Sequence, residues 1–168
     1  EGNEMPTGQP GEILTRTASA MLGYWNNSAA TIAALKDGWY HTGDLGYLDP
    51  QGFLYLVDRK KDMIISGGEN IYSREVEEAL STHQSVMEVA VIGVKDEYWG
   101  ETVRAIVVFN PGLSASEDEL IDHCKTQIAS YKKPKSIVFV DELPKLPSGK
   151  INKVTLRQMH GAPSVKAN

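Results

Sequence analysis

The sequence predicts an α+β chain in which a small β-rich segment precedes a larger domain that mixes strands and helices. Three observations predict it. Up to residue 57 the pattern is turn formers and short extended runs. The charge cluster Asp58-Arg59-Lys60-Lys61-Asp62 then breaks the apolar pattern, which marks a domain boundary. Beyond it, apolar β-branched runs are interspersed with capped amphipathic segments.

Pro6, Gly8, Pro10 and Gly11 border a short strand from Glu12 to Thr17. The alanine-rich stretch from Ser28 to Leu35 reads as a brief helix capped by Ser28. Leu45 to Leu48 and Phe53 to Val57 flank Asp49-Pro50-Gln51-Gly52, whose proline and glycine positions fit a type I turn. Alternation in the second arm predicts a hairpin with both faces partly buried. The charge cluster cannot all be buried, so the chain is expected at the surface there. A second small hairpin pairs Met63-Ile64-Ile65 with Asn70-Ile71-Tyr72 across Ser66-Gly67-Gly68-Glu69. Ser73 is a cap for a helix whose early turns hold Glu75, Glu77 and Glu78, favourable at the positive end. Val89 to Val94 and Val103 to Phe109 read as central strands. Ser116 with Glu119 matches a capping box, and Leu120, Ile121, Cys124 and Ile128 share the face that follows. Ile137 to Val140 is a further strand, and Leu156 to Met159 a last helical turn.

Bulk properties exclude several function classes. With 168 residues, 41% hydrophobic and 23% charged, the chain is long and apolar enough to fold. The formal net charge of -5 argues against nucleic acid as a partner. No apolar run reaches the length of a membrane span. One cysteine, Cys124, cannot form an internal disulfide, which favours a reducing, cytoplasmic setting. His41, His83, His123 and His160 lack metal-ligand spacing, so no metal site is expected. The opening Glu1-Gly2-Asn3-Glu4-Met5-Pro6 reads like the interior of a longer protein.

Taken residue by residue, the chemistry-bearing groups admit plain readings. Asp44, after Thr42-Gly43, is a turn aspartate or an acceptor for both hydroxyls of a ribose. Arg59 in its charge run is a solvated group. Lys150, in the tight loop Pro147-Ser148-Gly149, is by composition a mobile surface lysine. Gly67 and Gly68 serve a turn. Trp99 is a core tryptophan. Lys132, Lys133 and Lys135 make a basic patch.

Three segments change that balance. Gly38-Trp39-Tyr40-His41-Thr42-Gly43-Asp44 resembles the Thr-Gly-Asp motif of adenylate-forming enzymes. Asp58 to Ile71 resembles their hinge and the glycine-bearing strand pair after it. Leu143-Pro144-Lys145-Leu146-Pro147-Ser148-Gly149-Lys150-Ile151 resembles their terminal lysine motif. The resemblance runs from about Gly11 to Leu156, in the family's order.

The resemblance implies a carboxyl-terminal fragment of an AMP-forming acyl-CoA synthetase. Residues 1–57 would be the last β-rich subdomain of a truncated amino-terminal domain, 58–62 the hinge, 63–160 a mobile α+β lid and 161–168 a tail. Asp44 and Arg59 would hold the ATP ribose, Lys61 would be the pivot, and Lys150 would be the catalytic residue of adenylation. Gly67 and Gly68, with Trp99 as a second wall, would line the passage for CoA. ATP, Mg2+ and CoA are the implied cofactors, with no residue of this segment holding Mg2+. The implied partners are a carboxylic acid, taken as fatty, and the chain's own amino-terminal domain, with a homodimer through exposed hairpin surface. The segment alone is expected to fold from Asp62 onward and to lack synthetase activity. Lys153 stands where many relatives carry arginine. Two alternatives are a peptide-synthetase-type adenylation lid and a non-catalytic interaction module that keeps the lid fold.

Overall fold

In the computed structural model, which describes residues 3–162, the chain divides between Lys61 and Asp62 into two units. Of the expected tail, everything after Ala162 lies outside the described residues.

The first unit is a four-stranded antiparallel sheet: β1 (Gly11–Thr15), helix α1 (Ser28–Ala34), β2 (Leu35–Lys36), β3 (Trp39–Leu48) and β4 (Leu54–Arg59). Strand β3 is central, with β1 on one side and both β2 and β4 on the other. It is longer than the sequence pattern indicates, because Trp39 to Asp44 belong to it. The α1 cap is Asn27, whose side chain accepts a hydrogen bond from the Ala30 amide at 3.0 Å; Ser28 is already inside the helix. In the β3–β4 turn the Gly52 amide donates to the Asp49 carbonyl, and the Asp49 side chain accepts from Gln51 and Phe53. The expectation of two partly buried hairpin faces is corrected. Phe53, Leu54, Tyr55 and Leu56 are all exposed, and Leu45 is the one buried apolar side chain among the described residues of this unit. Four strands with a single-layer architecture offer nothing to bury a second face against.

The second unit is α+β around a five-stranded mixed sheet: β5 (Ile64–Ser66), β6 (Glu69–Ile71), α2 (Ser73–Ser81), β7 (Val86–Asp96), β8 (Gly100–Phe109), α3 (Glu117–Gln127), β9 (Ser136–Phe139) and α4 (Lys153–His160). Strand β8 is central: β7 pairs along its whole length on one side, and β9, parallel, and β5 pair on the other. The expectation that β7 is also central is corrected; it is an edge strand, apolar because both its faces are covered. Val91, Val103, Ala105 and Val107 face a core closed by Val76 and Leu80 of α2 and Leu120 and Cys124 of α3. Ala90, Ile92, Val94, Ile106 and Val108 face a second core, closed by Leu143 and by Leu156 of α4. Both strand edges are capped by carboxylates: Glu77 accepts from the Val91 amide and Glu117 from the Ile137 amide, each at 2.8 Å.

Ser73 does not cap α2. It is buried in the first turn, and the cap position is Tyr72, with no capping side chain. At α3 the capping box of Ser116 and Glu119 is present in both directions. The charge cluster lies mostly at the surface, as expected, and Asp62 is its one buried member. It is buried despite its place in the charge cluster, because the Arg157 guanidinium of α4 meets it at 2.7 Å and supplies the partner that a buried carboxylate requires. Arg104, also buried, donates to the Ser136 hydroxyl and to the His160 and Ala162 carbonyls, which ties the end of α4 to β8.

Leu120 is fully buried at the centre of the first core, so Leu120→Ala is expected to destabilise this unit by about 2–5 kcal/mol. Urea unfolding of the chain, followed by far-UV circular dichroism, measures it. Burial pushes the Cys124 thiol up to about 11. A raised folded pKa gives stability that is complete below the unfolded value and lost as pH rises through the folded one. Stability is therefore expected to fall by about 2–3 kcal/mol between pH ~8.5 and ~11. Cys124→Ala should abolish that component, which urea titrations across the pH range would reveal.

Candidate functional site

In the first unit, Asp44 and Arg59 stand directly opposite in the β3–β4 ladder, and Arg59 Nε meets Asp44 Oδ1 at 3.0 Å. The sequence placed Asp44 ahead of a strand; it lies within β3. Gly43 takes φ of 72°, a region that favours glycine, and the ladder shifts register between Leu45 and Gly46. The Thr42 hydroxyl donates to the Ile13 carbonyl at 2.8 Å and accepts from the Asp44 amide at 3.0 Å, which fixes the segment. Thr42, Gly43, Arg59, Lys60 and Lys61 line an open depression of about 350 Å³. Beside it Glu12 accepts from Lys60 at 2.8 Å and faces His41 at 3.4 Å. Partial burial raises the Glu12 carboxyl, but hydrogen bonds from Lys60 and His41 outweigh it and hold the group below its ordinary value.

Both members of the Asp44–Arg59 pair are substantially exposed. Such pairs contribute about 1 kcal/mol or less to stability. The pair engages one carboxylate oxygen with a single guanidinium nitrogen, so the site retains acceptor and donor capacity suited to a vicinal diol. Lys61 is exposed in the turn that follows β4 and is the last residue of the first unit.

In the second unit, Gly67 and Gly68 form the β5–β6 turn with φ of 60° and 86°. The Gly67 amide donates to the Trp99 carbonyl at 2.9 Å, and a Cβ on Gly67 would fall 2.7 Å from the indole. Trp99 is 41% exposed, which removes the core reading and leaves the indole as a wall against the glycine turn. Asp96 fixes that wall by accepting from the Tyr98 and Trp99 amides. The Lys135 ammonium stands 4.7 Å over the indole, adding positive charge to an apolar surface. Lys132, by contrast, is committed to Glu75, and Lys133 to the Ser130 carbonyl, so the three lysines do not act as one patch.

Lys150 projects from a separate hairpin. Lys145 bridges Ile151, the Leu146 amide donates to the Lys150 carbonyl, and the Gly149 amide donates back to Leu146, with Gly149 at φ of 81°. Three flanking contacts hold this hairpin. Lys145 pairs with Glu88 at 2.6 Å, the Asn152 amide donates to the Pro144 carbonyl, and Lys153 reaches both Glu77 and the Ser73 hydroxyl at 2.7 Å. Lys150 is exposed and meets no carboxylate among the described residues. An ammonium on a braced backbone, with no carboxylate partner among the described residues, is available to an external anion.

Ser66 pairs with Gly100 at the start of β8, whereas Glu88, the partner of Lys145, stands opposite Val108 near its end. At ~3.3 Å per strand residue these places lie on the order of 25 Å apart on one unit. The base of the Lys150 hairpin and the Gly67–Trp99 turn are therefore attached near opposite ends of β8. The bracing groups Glu77, Glu88, Lys145 and Lys153, and the Asp62–Arg157 pair, were invisible to sequence reasoning, since each pair is far apart in the chain and looks like ordinary surface charge. Among the described residues, no group of three or more His, Cys, Asp or Glu side chains could hold a metal ion, and no helix is long and apolar enough to cross a membrane.

Comparison with known proteins identifies the family. Over 141 residues the chain is 52% identical to a long-chain-fatty-acid–CoA ligase of Bacillus subtilis, covering 84% of this chain and 25% of that protein. It is 46% identical to an indoleacetate–CoA ligase of Aromatoleum aromaticum, covering 95% of this chain and 31% of that protein. Among solved structures, the o-succinylbenzoate CoA synthetase of Bacillus subtilis, in complex with its acyl-adenylate intermediate, superimposes with a TM-score of 0.83 at 42% identity, covering 91% of this chain and 31% of that one. The chain thus spans between a quarter and a third of the length of these relatives. Residues 75–150, which run from α2 to the exposed lysine, match the AMP-binding enzyme C-terminal domain, and the chain belongs to the adenylate-forming, AMP-binding enzyme family.

Proposed function

We propose that this chain is the carboxyl-terminal part of an AMP-forming acyl-CoA synthetase. Residues 1–57 close its amino-terminal domain, 58–62 form the hinge and 63–160 are the mobile lid. The observation that supports this reading is that the Lys150 hairpin and the Gly67–Trp99 surface attach near opposite ends of β8 on one compact unit. A single orientation of that unit can present only one of them to a cleft, so a two-step reaction at one centre requires it to turn.

In the first step the substrate carboxylate attacks the α-phosphorus of ATP and pyrophosphate departs. Asp44 and Arg59 orient the ribose, and the Lys150 ammonium neutralises charge developing between carboxylate and phosphates. In the second step the unit turns about Lys61, Lys150 withdraws, and the glycine turn comes to the cleft. The CoA thiol then attacks the acyl carbonyl and AMP leaves. The glycine turn, with the indole packed against it, forms the surface along which the pantetheine arm passes. Lys135 stands close to where CoA phosphates would lie. Mg2+ accompanies ATP and is assigned to no residue of this chain. A fatty acid is the proposed substrate, supported by the 52% identity to a ligase named for such acids.

In the enzyme restored with its native amino-terminal part, Lys150→Ala is expected to lower acid- and ATP-dependent pyrophosphate release by ~10²–10³-fold, while transfer to CoA from preformed acyl-adenylate survives. Unchanged release would show Lys150 to be a surface lysine. Gly67→Ala puts a Cβ against the indole at a strained φ, and should reverse the pattern: release retained, transfer lowered at least tenfold. The chain as given should show no ATP–pyrophosphate exchange, and detecting any would overturn its assignment as a part.

A further inference from the structure

The pivot and Lys150 are 89 positions apart in sequence, so the turn at one must reach the other through packing. The second unit begins at Asp62, which precedes β5. Ile64 is already locked in the first core, leaving Asp62 and Met63 as a two-residue leash between the pivot and the first packed side chain. Nothing in the backbone pattern ties that leash down, since Asp62 and Met63 lie outside any strand. Its side chain does: the Asp62 carboxylate is buried and bonds Arg157 of α4 at 2.7 Å. Helix α4 follows the Lys150 hairpin directly; it is capped by Asn152, anchored in the second core by Leu156 and braced by Lys153 on Glu77 and Ser73.

We infer that the Asp62–Arg157 pair is a positioning device for the adenylation step: it fixes the first residue of the mobile unit to the helix behind Lys150, confining rotation to Lys61 and delivering Lys150 to one place. Arg157 and Asp62 touch no substrate and act through that placement. This rests on the reading of Lys150 as the adenylation residue and of Lys61 as the pivot. Each released residue adds up to ~3.5 Å of reach, and displacement of a reacting group by about 1 Å can cost on the order of 10²-fold in rate. The β5–β6 glycine turn needs no such device, because Ile64 and Ile71 seat its strands in the core directly.

The experiment uses the full-length enzyme with Arg157→Leu, Arg157→Lys, Asp62→Asn, the Asp62→Asn/Arg157→Leu double variant and Lys150→Ala, assayed well below their unfolding temperatures. Arg157→Leu is expected to lower kcat for pyrophosphate release at least tenfold, with the KM for ATP changed less than threefold. Transfer from preformed acyl-adenylate should change less than threefold. Arg157→Lys should recover most of the rate, and the double variant should be no slower than the slower single variant, as for two halves of one contact. Amide exchange at Met63 should speed up in Arg157→Leu. If Arg157→Leu does not fold, Asp62→Asn, nearly isosteric, carries the same comparison.

A merely structural pair would lower the unfolding temperature and leave both half-reactions of the folded enzyme unchanged, and that result overturns the proposal. Equal losses in both half-reactions, or losses that multiply in the double variant, overturn it too. If Lys150→Ala itself leaves release intact, the underlying functional reading fails first, and the two failures are thereby distinguished.

Discussion

Strand β8 is apolar on both faces, and the second unit is organised by that constraint. Val103, Ala105 and Val107 look into one core, Ile106 and Val108 into the other, and each needs its own cover. One cover is α2 with α3; the other is the segment from Leu143 through α4. The second cover carries Lys150, so the position of that lysine follows from a demand for burial rather than from any local preference of its loop. Arg104 is the polar exception among the buried residues of the strand, and its guanidinium is spent on closing the end of α4. The glycine turn lies near the opposite end of β8, attached through Ser66 at Gly100. A central strand of this length therefore separates the glycine turn from the base of the Lys150 hairpin.

The polar groups follow the same economy. Lys153 and Arg157 face inward from α4 and meet Glu77 and Asp62, whereas Val154 and Met159 of the same helix stay exposed. On most amphipathic helices the charged face is the solvated one. Here it is the cationic groups that attach the helix, which is why the α4 stripe is weak to a purely hydrophobic reading. The exposed Asp44–Arg59 pair is the opposite case: it does little for stability and keeps its capacity for a ligand.

Much of this was legible in the sequence where a local rule applied. The capping box at Ser116 and Glu119, the Asp49–Gly52 turn, the glycine turn at Gly67 and the β-branched runs of β7 and β8 each carry their own short-range signal. The failures have a common cause. Ser28 and Ser73 looked like caps, but Asn27 does the work at α1, and Ser73 is consumed by a lysine eighty positions away. The burial of Asp62 within its charge run carried no local signal, because its partner lies 95 residues on. The hairpin at Phe53 looked half-buried because alternation cannot say whether a second layer is present. For the candidate site, the residues themselves could be named, but the distance between Lys150 and Gly67, on which the proposed rotation depends, is a property of the sheet alone.

The carboxylates of Glu77 and Glu117 occupy amides on two of the outer strands, β7 at Val91 and β9 at Ile137. An incoming strand would have to displace a charge-assisted bond at each place before it could join the ladder. At those two borders the guard against templated growth is an acid side chain, and each acid comes from a helix that also covers the core.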